Sequence, residues 1–134
     1  LYCIRERETV LDLFEALTGA RLLYGFHQVG GVRYDVPAGF ASQCRRTIDE
    51  IEQRLNEYEA MLEGNAFFTM RTKGVGVISR TLAEEVGISG PLLRASGVDF
   101  DLRRDAPYSS YQDFQFRVPV ESAGDCFARY RVRM

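Results

Sequence analysis

The chain has 134 residues, 46% apolar and 27% charged, enough for one small domain and inconsistent with long disorder. A net charge of −2 argues against a general nucleic-acid binder, because neutralising phosphates needs a basic face. No apolar run approaches the roughly 20 residues that span a bilayer, so membrane association is expected only through something else.

The first helix is expected where Val10, Leu13, Phe14 and Leu17 recur at helical spacing, with Gly19 as its stop. Residues 20–27 are dense in Leu, Tyr and Phe and predict a strand. Gly30-Gly31 break it, and residues 35–39 form a turn into the next helix. That helix is the clearest element. Cys44, Ile48, Ile51, Leu55, Tyr58 and Leu62 make one apolar stripe, the other faces are charged, and Gly64-Asn65 end it.

Shorter elements follow. Residues 66–71 predict one or two helical turns, and residues 74–78 an extended piece. Ser79 is placed to cap a helix through Val86, with Thr81 and Glu84 at capping-box spacing and Gly87 as the stop. Gly90-Pro91 open another helix, closed by Gly97. Residues 98–111 read as irregular and polar. Phe114, Phe116 and Val118 alternate with Gln115 and Arg117, which predicts a half-buried strand ended by Pro119. Ser122 is then expected to cap a last helix carrying Phe127 and Tyr130. The expected architecture is a single α+β domain over residues 1–134, mostly helical with a small antiparallel sheet.

Few residues carry chemistry. Cys3, Cys44 and Cys126 are odd in number and far apart, and His27 is the only histidine. This implies reduced thiols and no metal site from this chain alone. Gly74-Val75-Gly76 lacks the third glycine of a dinucleotide fingerprint, since Ser79 stands there, and reads as a tight turn. His27, Asp35 and a cysteine could be assembled on paper into a nucleophile–base set, but a histidine at a strand end explains His27 better. Arg94 and the Asp99, Asp101, Arg103, Arg104, Asp105 series alternate in sign without period. Such a loop is held by guanidinium–carboxylate bonds rather than by a ladder, and suits loop architecture or subunit docking.

The chain also carries a series of spaced blocks. They are Arg5-Glu6-Arg7-Glu8, Gly19-Ala20-Arg21, Gly30-Gly31-Val32 with Asp35 and Pro37, and Gly74-Val75-Gly76-Val77-Ile78-Ser79. Further along stand residues 90–98, Asp101-Leu102-Arg103, Pro107-Tyr108 and residues 124–130. In order and spacing these resemble the hydrogenase-like D subunits of proton-pumping NADH–quinone oxidoreductase, respiratory complex I. The resemblance implies part of a fold like the nickel–iron hydrogenase large subunit, with the metal site lost and its cavity turned into part of a quinone chamber. It implies a parent complex that uses FMN, iron–sulfur clusters, NADH and quinone, none of the redox groups being bound by this chain. The implied partners are other complex I subunits, especially the cluster-bearing B subunit and the C subunit. The implied place is the cytoplasmic side of the cell membrane, peripherally.

By the same resemblance, Arg21 matches an arginine lying towards the cluster-bearing subunit, and Glu15 an acid on the same helix end. No catalytic residue carries over, because the family's quinone-headgroup residues lie N-terminal to Leu1. Two departures stand out. Leu23 occupies a position where mitochondrial relatives carry histidine, and Gln28-Val29 precede the Gly-Gly pair where the family often has Arg or a similar polar residue, sometimes followed by Pro. The chain opens without an initiator Met and both ends fall inside helical patterns, so it is expected to be an internal fragment, inactive alone. The alternative is the large subunit of a membrane-bound energy-converting nickel–iron hydrogenase, a sister family on much of the same scaffold.

Overall fold

A computed structural model describes residues 2–134. The chain divides into two compact units at the Tyr58–Glu59 boundary. The described residues are mostly helical, with one two-stranded antiparallel sheet.

The first unit opens on α1 (Tyr2–Thr18). Gly19 ends it at φ +77°, donating its amide to the Glu15 carbonyl at 2.8 Å, so the expected stop is there. Leu11 is its buried residue, while Phe14, on the expected stripe, is partly exposed and packs on Tyr24 with ring centroids 4.7 Å apart. The strand expected over residues 20–27 does not form. The backbone there is irregular, and Leu23 has φ +56°, which no β-strand admits. Only β1 (His27–Gln28) and β2 (Gly31–Val32) pair, His27 with Val32 and Gln28 with Gly31, around a Val29-Gly30 turn.

α2 (Phe40–Glu63) continues through the boundary. Its buried positions are Thr47 and Tyr58, and Ile48 is 53% exposed, so the inner line is turned by one residue from the expected stripe at its N-terminal half. The Tyr58 hydroxyl donates to the Glu6 carboxylate of α1. Burial, then this carboxylate, raises the Tyr58 pKa, and the same bond holds Glu6 below the usual carboxylate range.

The second unit contains α3 (Ala66–Thr72), α4 (Arg80–Glu85), α5 (Gly90–Ala95), α6 (Leu102–Asp105), a 3-10 turn (Tyr111–Asp113) and α7 (Cys126–Arg131). Asn65 caps α3, its Oδ1 accepting from the Phe67 and Phe68 amides. Ser79 caps α4 as expected, accepting from the Leu82 amide at 3.2 Å. Glu84 closes no capping box; it pairs with Arg80 one turn back at 3.0 Å.

Small residues let α5 and α7 approach. Ala95, Ala128 and Val132 form the core cluster, and Ala83 is fully covered. Around this cluster the backbone is tied directly. Ile78 donates to the Gly124 carbonyl (2.9 Å), Gly124 to Ala95 (2.8 Å), Cys126 to Val75 (3.0 Å) and Glu121 to Arg94 (3.0 Å). Residues 74–76 make the tight turn expected of Gly74-Val75-Gly76, with Gly74 at φ +71° and Gly76 at +62°, so the extended piece expected over 74–78 is confined to its last two residues.

Three more expectations change. Asp125, not Ser122, caps α7: Oδ1 accepts from the Ala128 amide and Oδ2 from the Gly74 amide, both at 2.7 Å. One carboxylate thus caps a helix and closes the glycine turn together, which the single hydroxyl of Ser122, farther from the helix start, does not do. Residues 98–111 are not wholly irregular, since α6 forms under an Asp101 cap. Residues 114–120 run without helix, turn or bend, but no described segment pairs with them, and Phe114 is 61% exposed. A strand needs a neighbour, and here none is supplied.

Candidate functional site

Arg21 and Glu15, singled out by resemblance, are brought together at the end of α1. The Arg21 guanidinium reaches Glu8 at 2.6 Å, Asp12 at 2.5 Å and Glu15 at 3.1 Å. Glu8, Asp12 and Glu15 fall at steps of four and three and therefore share one helix face. Gly19 turns the chain back so that Arg21 lies along that face. Asp12 first, then Glu15 and Glu8, push the Arg21 pKa further above its ordinary range. All four side chains keep between 38% and 58% of their surface in solvent, so this is a surface network and not a buried pair.

The arrangement offers one fixed cation and three anions. It can set an electrostatic field and receive a partner's backbone or charge, but it presents no thiol, hydroxyl or amine nucleophile. Glu8 and Asp12 were legible from their spacing to Glu15, though sequence reasoning did not join them to Arg21. Leu23, two residues on, is 98% exposed.

A second constellation lies in the charged loop. Asp101 is 5% exposed and accepts from Arg94 Nη1 at 2.8 Å, from the Arg103 amide at 3.0 Å, and from Arg103 Nε and Nη2 at 2.9 and 2.8 Å. The Arg103 guanidinium bonds hold its carboxyl down at about 2, against the opposing effect of burial. Arg94 is itself buried, and its Nε has no hydrogen-bond partner. Arg103 stacks over the Phe116 ring, 4.9 Å from its centroid. An open cavity of about 540 Å³ borders this pair, walled by Pro91, Phe100 and Leu102 as well as Arg94, Asp101 and Arg103. The loop is thus held by charge-assisted bonds, as its alternating signs led one to expect.

His27 is exposed on β1, and the Asp35 carboxylate accepts the Val36 amide at 2.7 Å. Cys3 on α1, Cys44 on α2 and Cys126 on α7 are free thiols, and among the described residues no three His, Cys, Asp or Glu side chains are grouped to hold a metal.

The family model described as "Respiratory-chain NADH dehydrogenase, 49 Kd subunit" matches residues 1–134. The chain belongs to that family. It is 45% identical over 134 residues to the NADH-quinone oxidoreductase D subunit of Desulforamulus reducens, covering all of this chain and 37% of that one. It is 48% identical to the second of the numbered D subunits of Koribacter versatilis, and 51% identical to the second of those of Rhizobium etli. Both matches run over its whole length and 33% of theirs. The chain therefore spans about a third of the length of these curated relatives. The resemblance read from residues 5–8 through 124–130 is thus shown along the whole chain.

Proposed function

We propose that these residues are part of a longer D subunit of an NADH–quinone oxidoreductase, in which electrons pass from NADH through iron–sulfur clusters to quinone and drive proton translocation. The segment is a rigid wall beside the quinone chamber and the last cluster, on a scaffold shared with nickel–iron hydrogenase large subunits. The observation that carries this reading is the match of all 134 residues to D subunits at 45–51% identity. Flavin and clusters held by other chains supply the redox chemistry. The thiols of this chain sit singly on three different helices, which supports cluster ligation by the neighbouring B subunit rather than here. Among the described residues no helix is long and apolar enough to cross a membrane, and attachment at the cytoplasmic face runs through the complex, including the B and C subunits.

In this reading Arg21 faces the cluster-bearing subunit. A fixed cation there stabilises the added electron and raises the cluster potential, while Glu8, Asp12 and Glu15 orient the guanidinium and, being three charges against one, lower the potential unless the guanidinium lies nearer the cluster than they do. In the assembled complex, Arg21→Met is expected to lower the midpoint potential of the terminal cluster and Glu15→Gln to raise it, with Arg21→Lys close to the wild type. A redox titration followed by electron paramagnetic resonance measures this. Potentials unmoved by all three substitutions would remove the cluster-facing role.

A further inference from the structure

The open cavity of about 540 Å³ beside the charged loop has apolar walls from Pro91, Phe100 and Leu102 and charged ones from Arg94, Asp101 and Arg103. The charges of that wall do not balance. Arg94 and Arg103 share the one carboxylate of Asp101, each at 2.8 Å. Asp99 and Asp105, the other acids of the loop, both pair with Arg104 at 2.9 Å and do not line the cavity. The two guanidiniums also use Asp101 differently. Arg103 presents its Nε–Nη2 edge, Nε to Oδ1 at 2.9 Å and Nη2 to Oδ2 at 2.8 Å, the parallel pair of bonds that a planar carboxylate matches. Arg94 uses only Nη1, on Oδ2 at 2.8 Å. Its own Nε–Nη2 edge bonds nothing among the described residues, although the side chain keeps only 8% of its surface in solvent. A buried cation with an idle bidentate edge is costly, because its donors lose water and gain no acceptor. Nε is closed to solvent, so an acceptor reaches it only when the wall shifts, and Leu102, 54% exposed on that wall, is a side chain with room to swing.

We propose that the Nε–Nη2 edge of Arg94 receives a carboxylate side-on from this cavity, with the Arg103 charge supporting it and Pro91, Phe100 and Leu102 packing against its carbon skeleton. A monoanion restores the balance left by two guanidiniums on one carboxylate, and a planar one fits the edge. A phosphoryl group, at about −1.5 to −2 near neutral pH, would exceed that balance. The same chemistry has two sources: an Asp or Glu side chain of the surrounding assembly, or a soluble carboxylic acid with a small apolar body. The inference stands apart from the quinone reading and is tested separately from it.

The test is a structure of the native assembly purified from its own host in carboxylate-free buffer, with a fluorine NMR titration of 4-fluorobenzoate in parallel. Two oxygens of one carboxylate are expected about 2.8 Å from Arg94 Nε and Nη2. Density continuous with a main chain identifies the side-chain source, and density of a separate molecule the soluble one. Where the edge carries no protein carboxylate, 4-fluorobenzoate is expected to bind saturably, and about tenfold or more weaker after Arg94→Lys, which keeps the charge and loses the edge. Leu102→Trp narrows the cavity and leaves Arg94 and Asp101 in place. It is expected to weaken binding likewise, and it serves if the lysine variant does not assemble. Water or chloride alone on the edge, together with 4-fluorobenzoate binding that is absent, indifferent to both variants or matched by neutral 4-fluorobenzamide, would overturn the proposal.

Discussion

Gly124→Ala is expected to cost about 4 kcal/mol, the largest loss of any single methyl added to the chain. Gly124 sits at φ +65°, and a Cβ there would fall on the Ile78 carbonyl, which is backbone and cannot swing away. The same residue donates to Ala95 and accepts from Ile78 and from Arg129 Nη1, so any shift that relieves the clash breaks bonds tying residues 74–78, α5 and α7 together. Gly87→Ala is the control. It has φ +70° with nothing within 4 Å of the added carbon, so it bears only the left-handed backbone penalty, about 1 kcal/mol. Urea unfolding followed by circular dichroism measures both. Equal losses for the two variants would mean that the approach of Gly124 to Ile78 contributes nothing.

The second large effect is Asp101→Ala, expected to cost about 3 kcal/mol, because removing one member of a buried pair strands the other. Arg94 would keep its charge, at 7% exposure, with Nε already unpartnered and Nη1 newly so. α6 would also lose its cap, the Arg103 amide bond at 3.0 Å. The pair dictates a pH dependence as well. The Asp101 carboxyl lies at about 2 when folded, below its ordinary value of 3.8. A depressed carboxylate contributes stability that is fully present above the unfolded value and is lost as pH falls through the folded one. Wild-type stability should therefore decline between about pH 4 and pH 2, and the Asp101→Ala variant should decline less over that window. Parallel pH profiles would show that other carboxylates govern acid unfolding.

Local signals carried far along this chain where they were complete in themselves. Gly19, Gly64-Asn65, Ser79, Gly90-Pro91 and Gly97 mark helix ends because caps and left-handed turns depend on a few neighbouring residues. Strands fared worse, for a physical reason. Residues 20–26 and 114–120 have strand composition, yet a ladder needs a partner that composition does not name, and among the described residues only His27, at the end of the first run, finds one. The Asp125 cap was missed because its second bond, to Gly74, joins residues 51 apart in sequence. Asp101 was legible as a member of an alternating run, but not as its centre, since burial selects it from Asp99 and Asp105. At the candidate site, resemblance pointed to Arg21 and Glu15. Helical spacing alone would have added Glu8 and Asp12, but not the guanidinium that gathers them from beyond Gly19.

The proposed membership of a quinone-reducing assembly is tested most directly in membranes of a strain lacking this protein. NADH-driven quinone reduction should vanish on deletion and return with the intact gene, and the purified complex should contain no nickel and evolve no hydrogen. Undiminished quinone reduction in the deletion strain, or stoichiometric nickel with hydrogen turnover in the complex, would contradict it and favour the energy-converting hydrogenase.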